Sequence, residues 1–217
     1  MNLLFDLDGT LTDPAVGITR CIQHAMSQLG LEVADDRALL RFIGPPLRNA
    51  FAELLATDDE HLISRAIALY RERFVALGMF ENAVYPDILR GLEQLVAHGH
   101  HLWVVTSKPR VYARQIVDHF GLLSSFTGIY GSELDGRYSD KVELVRIVLE
   151  SEHMAPSATW MIGDRAQDVR GGRMNGTRTA GVLWGYGTPA ELRAEGPDVL
   201  LDTMAELVAH MSCSMIG

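Results

Sequence analysis

The sequence has little cysteine, a deficit of basic charge and no long apolar run. Its 217 residues include two cysteines, Cys21 and Cys213. They lie far apart and in no metal-ligand spacing, so two free thiols in a reducing compartment are expected rather than a thiolate metal site or a disulfide framework. Basic residues number 19 against 28 acidic ones, a formal net charge of −9. A nucleic-acid polymer or an anionic membrane needs a basic patch, so neither is an expected partner. A local pocket can still be positive, which keeps small anionic substrates open. No stretch approaches the roughly 20 apolar residues of a membrane span. The opening Leu3-Leu4-Phe5 stops at Asp6 with no basic segment before it, so it does not read as a signal peptide, and a cytoplasmic location is expected. The eight histidines show no metal spacing. Three of them, His98, His100 and His101, read as a solvated loop beside Gly99. Internal repeats, low-complexity tracts and long linkers are also lacking.

Apolar residues at 47% and charged residues at 22% suit one globular domain, or one with a modest insert. A chain this long can bury a core without staples. Short apolar runs predict strands at Asn2–Phe5, Leu102–Val105, Gly128–Tyr130, Thr159–Ile162 and Thr179–Leu183, with a weaker one at Val199–Leu201. Helical stripes lie between them: Ile88, Leu89, Leu92, Leu95 and Val96 form one, and Val142, Val145, Val148 and Leu149 another. Met174, Met204 and Met211 read as core or helix faces. Strand and helix in alternation predict an α/β fold, a parallel sheet with helices on both faces. From Pro14 to Asn82 the alternation stops. Ile18, Ile22, Met26 and Leu29 form a stripe, as do Ile63, Ile67, Tyr70 and Phe74, and Ile43-Gly44-Pro45-Pro46-Leu47 reads as a turn opening a further helix. The expected organisation is a core of residues 1–13 and 83–217 with an all-helical cap, 14–82, inserted after the first strand.

Chemistry-bearing residues follow three of the strands. Asp6 and Asp8 come after the first, Thr106, Ser107 and Lys108 after the second, and Gly163 and Asp164, with Asp168 beyond, after another. In open parallel sheets ligands bind at that edge. Asp6 and Asp8 project to one side if the extended chain continues. Gly9 permits a sharp turn, and Thr10 can hydrogen-bond locally to hold it. Three converging carboxylates raise one another's pKa unless a cation neutralises them. Oxygen-only ligands select a hard ion, and few protein ligands suit Mg2+, which keeps several waters.

Four segments, in order, resemble the motifs of the haloacid dehalogenase superfamily. "FDLDGTLTD" at Phe5–Asp13 is similar to its D-x-D-G-T motif. "VVTS" at Val104–Ser107 resembles the second, "SDKVELV" at Ser139–Val145 supplies the lysine of the third, and "GDRAQD" at Gly163–Asp168 matches G-D-x-x-x-D. "FIGPPL" at Phe42–Leu47 and "GSELDGRYSDK" at Gly131–Lys141 resemble its phosphoglycolate-phosphatase-like and 5′-nucleotidase-like branch. The resemblance implies a Rossmann-like core and a Mg2+-dependent phosphomonoesterase acting on a small soluble phosphorylated metabolite through an aspartyl-phosphate. It implies Asp6 as nucleophile and Asp8 as acid and base. Thr106 and the Ser107 N–H would donate to the phosphoryl group, Gly9 would line the substrate site, and Lys141 would offset charge. Asp6, Asp8, Asp164 and Asp168 would serve the metal, Asp8 through its backbone carbonyl.

Each residue also has a plainer reading. Asp6 and Asp8 could mark a D-G turn, Lys141 a solvated lysine, Thr106 a helix N-cap, and Asp168 a surface charge opening a helix. Arg48, after "GPPL", could reach a substrate anion or face solvent. Cap selectivity would come from Phe42 to Arg48 and the first cap helix near Thr19 and Arg20. The expected activity is phosphoglycolate phosphatase-like, with a 5′-nucleotidase-like phosphatase as the alternative. A phosphomutase would use the same carboxylates. A dehalogenase needs neither the metal nor the second acid, so Asp8 and the Asp164/Asp168 pair argue against it. A phosphoacceptor signalling domain would be shorter and without D-x-D.

Overall fold

The computed structural model describes residues 1–32 and 35–213. In chain order the elements are β1 (Asn2–Phe5), β2 (Thr12–Asp13), α1 (Ala15–Gln28), α2 (Asp36–Leu39), α3 (Leu47–Leu54), α4 (Glu60–Arg73), β3 (Ala83–Val84), α5 (Ile88–Ala97), β4 (His101–Pro109), α6 (Arg110–His119), β5 (Gly128–Ser132), α7 (Lys141–Ser151), β6 (Thr159–Gly163), α8 (Ala166–Met174), β7 (Arg178–Val182), α9 (Pro189–Glu195), β8 (Val199–Leu201) and α10 (Met204–Cys213). They fall into two compact units: Met1–Asp13 with Val84–Gly217, and Pro14–Ala83.

The first unit is α/β. Its sheet runs β5-β4-β1-β6-β7-β8 with every pairing parallel. Leu3, Leu4 and Phe5 of β1 are fully buried, as a central parallel strand covered on both faces requires. Leu4, Trp103, Val105 and Met161 pack on Leu144, Val145 and Val148 of α7. Alternation turns Leu3 and Phe5 to the other face. The register sets Phe5 beside Val104 on one side and Ile162 on the other. Asp6, Thr106 and Asp164 therefore leave the sheet at one edge. Helix α7 starts where Asp140 Oδ1 accepts the Glu143 N–H at 2.9 Å, which makes Lys141 its first residue.

Two helix stripes are narrower than the periodicity predicts. Ile88, Leu92 and Leu95 are buried on α5, while Leu89 and Val96 are exposed. On the buried side Gly91 lets α10 approach, because a Cβ there would lie 2.5 Å from Met204 of that helix. On α7, Val142 is half-buried. Met204 and Met211 are buried, but Met174 is exposed on α8. His98 and His101 face solvent. His100 does not: it is 4% exposed, and neither ring nitrogen has a hydrogen-bond partner among the described residues. Its N–H returns to the Leu95 carbonyl, which folds the end of the loop inward, and burial holds its pKa down.

Among the described residues of the second unit the regular elements are helices, apart from its last residue, Ala83, which opens β3. Ile18, Ile22 and Met26 of α1 and Ile63 and Tyr70 of α4 are buried, whereas Leu29 and Ile67 are half-buried. Tyr70 stacks on Phe74 at 5.5 Å between centroids. Helix α3 begins at Leu47 with Pro46 as its cap residue, one position later than proline's preference suggests. Phe42 and Ile43 are buried.

Candidate active site

Asp6 extends β1 by one residue, its N–H donating to the Ile162 carbonyl at 2.9 Å. Its Oδ1 accepts from Lys141 Nζ at 2.8 Å. The same ammonium donates to the Val105 carbonyl at 2.9 Å and lies 2.8 Å from Asp168 Oδ1. Two hydrogen bonds and a second ion pair thus surround the ammonium. Lys141 is 3% exposed, so it is not a solvated lysine. Burial alone would depress its pKa, but Asp168 and Asp6 outweigh burial and raise it.

Asp6, Asp164 and Asp168 each offer an oxygen to one small volume, all within 4.8 Å of one another. Thr10 Oγ1 donates to Asp164 Oδ1 at 3.2 Å, and the Tyr186 N–H donates to Oδ2 at 2.8 Å. The Thr10 hydroxyl is therefore spent across the chain rather than within its own turn. Burial, then Asp168 and Asp6, push the Asp164 carboxyl up to about 8. Burial also raises Asp168, against the opposing charge of Lys141. Asp168 lies in the first turn of α8, where Oδ2 accepts the Arg165 N–H at 3.1 Å. Glu191 Oε1 anchors that helix start, accepting from Arg165 Nε at 2.9 Å and the Ala166 N–H at 3.0 Å. Three buried carboxylates share one ammonium in this cluster, and a divalent cation fits the remaining charge. Asp6, Asp164 and Asp168 are the side chains that could hold it.

Asp8 stands apart from those three. Its Oδ2 meets Lys108 Nζ at 2.5 Å, and its buried Oδ1 has no hydrogen-bond partner among the described residues. Burial raises its pKa, with Lys108 opposing. Between Asp8 and the carboxylate cluster, Gly9 turns the chain with φ +87°, and its N–H donates to the Thr12 carbonyl at 2.8 Å. A Cβ at Gly9 would sit 2.3 Å from Asp164 Oδ2.

Thr106 is buried inside β4, so it is not a helix cap; α6 begins later, at Arg110. Its hydroxyl accepts the Lys108 N–H at 3.3 Å. Ser107 Oγ donates to the Ser139 carbonyl at 3.0 Å, which ties its side chain to the loop before α7. Arg48 belongs to the second unit, half-exposed and paired there with Glu60. In the same unit Thr19 is 2% exposed, and Arg20 pairs with Glu81 at 2.8 Å.

Sequence reasoning named Lys108 but missed its pairing with Asp8, and it missed Trp184 and Tyr186. A strand that ends at Val105 leaves Lys108 in a loop, whereas β4 runs to Pro109. Trp184 and Tyr186 follow β7, a fourth strand reaching the same edge, within "LWGYG". Two glycines around a tyrosine just past a strand end were the available signal.

The family model for haloacid dehalogenase-like hydrolases matches residues 3–182. A Pseudomonas aeruginosa protein named 5′-nucleotidase is 48% identical over 196 residues, covering 90% of this chain and 88% of that one. The Mycobacterium tuberculosis protein named tyrosine-protein kinase PtkA is 36% identical over 185 residues, 85% of this chain and 62% of that one. A solved structure described as a predicted phosphatase from Clostridium acetobutylicum superposes with a TM-score of 0.93 at 41% identity, covering 97% of each chain. With four motifs gathered at one sheet edge and a match over most of its length, the chain belongs to the haloacid dehalogenase-like hydrolases, as a phosphatase of that family.

Proposed function

We propose that the chain hydrolyses small soluble phosphomonoesters through a phosphorylated Asp6, with Mg2+ as cofactor and 5′-mononucleotides as preferred substrates. The observation that carries this reading is the buried set of Asp6, Asp164 and Asp168 around Lys141. When bound, the metal would offset the repulsion between an anionic nucleophile and an anionic phosphoryl group.

Lys141 fixes one oxygen of Asp6 and so aims the carboxylate along the strand direction. Asp6 attacks phosphorus, and the bond from phosphorus to the ester oxygen breaks. Asp8 gives its proton to the leaving oxygen; burial, which favours the protonated carboxyl, suits that step. A water then attacks the phosphorus on Asp6, Asp8 takes the water's proton, and the bond from phosphorus to the Asp6 oxygen breaks, which releases inorganic phosphate and restores the carboxylate. Thr106 and the Ser107 N–H stand beside Asp6 at the sheet edge as donors to the phosphoryl oxygens. The preference for nucleotides over phosphoglycolate-like acids rests on the 48% identical relative named 5′-nucleotidase.

The test measures kcat/KM with Mg2+ for a panel of about a hundred phosphate esters, on the wild type and on Asp6→Asn. A nucleoside 5′-monophosphate should lead the panel, and the folded variant should be inactive. A variant keeping a tenth of wild-type turnover would sink the covalent route. A panel led by phosphoglycolate would move the substrate class alone. Transfer of phosphate to a tyrosine peptide in preference to water would favour the activity for which the mycobacterial relative is named.

A further inference from the structure

The segment after β7 is joined to the carboxylate site at three points, and the proposed mechanism uses none of them. Trp184 Nε1 donates to the Thr10 carbonyl at 2.9 Å. The Tyr186 N–H donates to Asp164 Oδ2 at 2.8 Å. The Tyr186 hydroxyl donates to Asp13 Oδ1. The glycines between and after them let the backbone come this close. A Cβ at Gly185 would lie 2.3 Å from the Gly9 carbonyl oxygen and 2.4 Å from Asp164 Cβ, and one at Gly187 would lie 1.8 Å from the Asp164 carbonyl oxygen.

We infer that Trp184 to Gly187 is a positioning strap for the metal site, with Trp184 and Tyr186 as positioning residues that act through Asp164 and the Gly9-Thr10 turn. Asp164 has two oxygens and both are directed. Thr10 holds Oδ1 from the first motif, and the Tyr186 N–H holds Oδ2 from the strap. Thr10 is itself held from the strap side, because its carbonyl accepts from Trp184. The Tyr186 ring is tethered at Asp13, which restrains the backbone N–H three bonds away from it. The strap thus sets the carboxylate's rotation from one side directly and from the other through Thr10. Outer partners that orient a ligating carboxylate typically change metal affinity about ten- to a hundredfold when removed.

This inference rests on the Mg2+ reading above, so its test reads metal binding without substrate. Mg2+ is titrated by calorimetry into the wild type, Trp184→Phe and Tyr186→Phe, with Met211→Ala as a control. Trp184→Phe keeps an aromatic ring and loses the N–H, and Tyr186→Phe loses only the hydroxyl. Met211 is buried on α10 and should affect stability alone. Expected is about tenfold weaker Mg2+ binding in each strap variant and none in the control. Turnover of the strap variants should recover when Mg2+ is raised about tenfold, with substrate KM then near wild type. A merely structural role would lower the melting temperature and leave the Mg2+ Kd unchanged, and that result overturns the inference. Tyr186→Phe keeps the test decisive if Trp184→Phe does not fold. A wild type that binds no Mg2+ overturns the metal reading and the strap's role with it, whereas wild-type Mg2+ binding with unaltered strap variants overturns the strap alone.

Discussion

At the residue scale, Lys141 is the buried cation that joins Asp6 to Asp168. Removing one partner from a buried ion pair leaves the other charge uncompensated, which costs about 3–5 kcal/mol. Lys141→Met keeps the stem and removes the ammonium, so a loss of that order is expected at pH 8 by urea unfolding. The loss should shrink at pH 5, where Asp168 and Asp164 take up protons and need no partner. The sign follows from linkage: a carboxyl whose folded pKa is raised destabilises the fold above its unfolded value and stops doing so once protonated. A loss below about 1 kcal/mol, or one independent of pH, would contradict the geometry. In the sequence, Lys141 alone is an ordinary lysine before a helix. Its burial between two carboxylates depends on α7 packing across β1 and β4, which no local pattern reveals.

At the element scale, strand ends carry the site. The six predicted strands are those of the main sheet, because apolar runs bounded by turn residues are a strong local signal for buried parallel strands. Their ends are less legible, since the last residues of β4 are polar and pair outward with β5 only after a register shift between Thr106 and Pro109. That extension is what places Lys108 against Asp8. In the second unit, Arg48 lies in the first turn of α3 and pairs with Glu60 at the start of α4. A half-exposed pair of this kind contributes about 0–1 kcal/mol, so Arg48→Ala should leave stability nearly unchanged. If Arg48 reads the leaving group, the variant should lose about ten- to a hundredfold in kcat/KM on one substrate and less on others. The comparison uses a nucleoside monophosphate, phosphoglycolate and p-nitrophenyl phosphate. Equal ratios across the three would assign Arg48 to the surface.

At the scale of the whole molecule, a Mg2+ ion held as proposed would compete with the proton for Asp164. Its carboxyl ordinarily titrates at 3.8 and is pushed up to about 8 by burial and by its acidic neighbours. Between those values the folded chain binds more protons than the unfolded one, so metal-free stability falls as pH rises through that window. Mg2+ takes the ionised carboxylate, so its stabilisation should grow over the same window. The stability gain on adding Mg2+, read by urea unfolding, should be small at pH 6 and larger at pH 8.5, approaching the roughly 2.7 kcal/mol that ligand at a hundredfold its Kd confers. A gain that is flat with pH would place the metal elsewhere. Chelation with EDTA should stop turnover and Mg2+ restore it, while Ca2+ should bind and inhibit because its coordination is looser.

The sequence by itself determined the parallel α/β core, the helical character of Pro14 to Asn82 and the identity of the carboxylates, because apolar period, turn residues and strand-end motifs are local properties of the chain. Only the tertiary structure decided that Asp8 faces Lys108, that the Thr10 hydroxyl goes to Asp164, that His100 is buried while His98 and His101 are not, and that Trp184 and Tyr186 brace the acidic cluster. The contacts of Asp8, Thr10, Trp184 and Tyr186 join segments that follow different strands, so their partners are fixed by sheet order and register, and the burial of His100 likewise depends on packing that no local pattern carries.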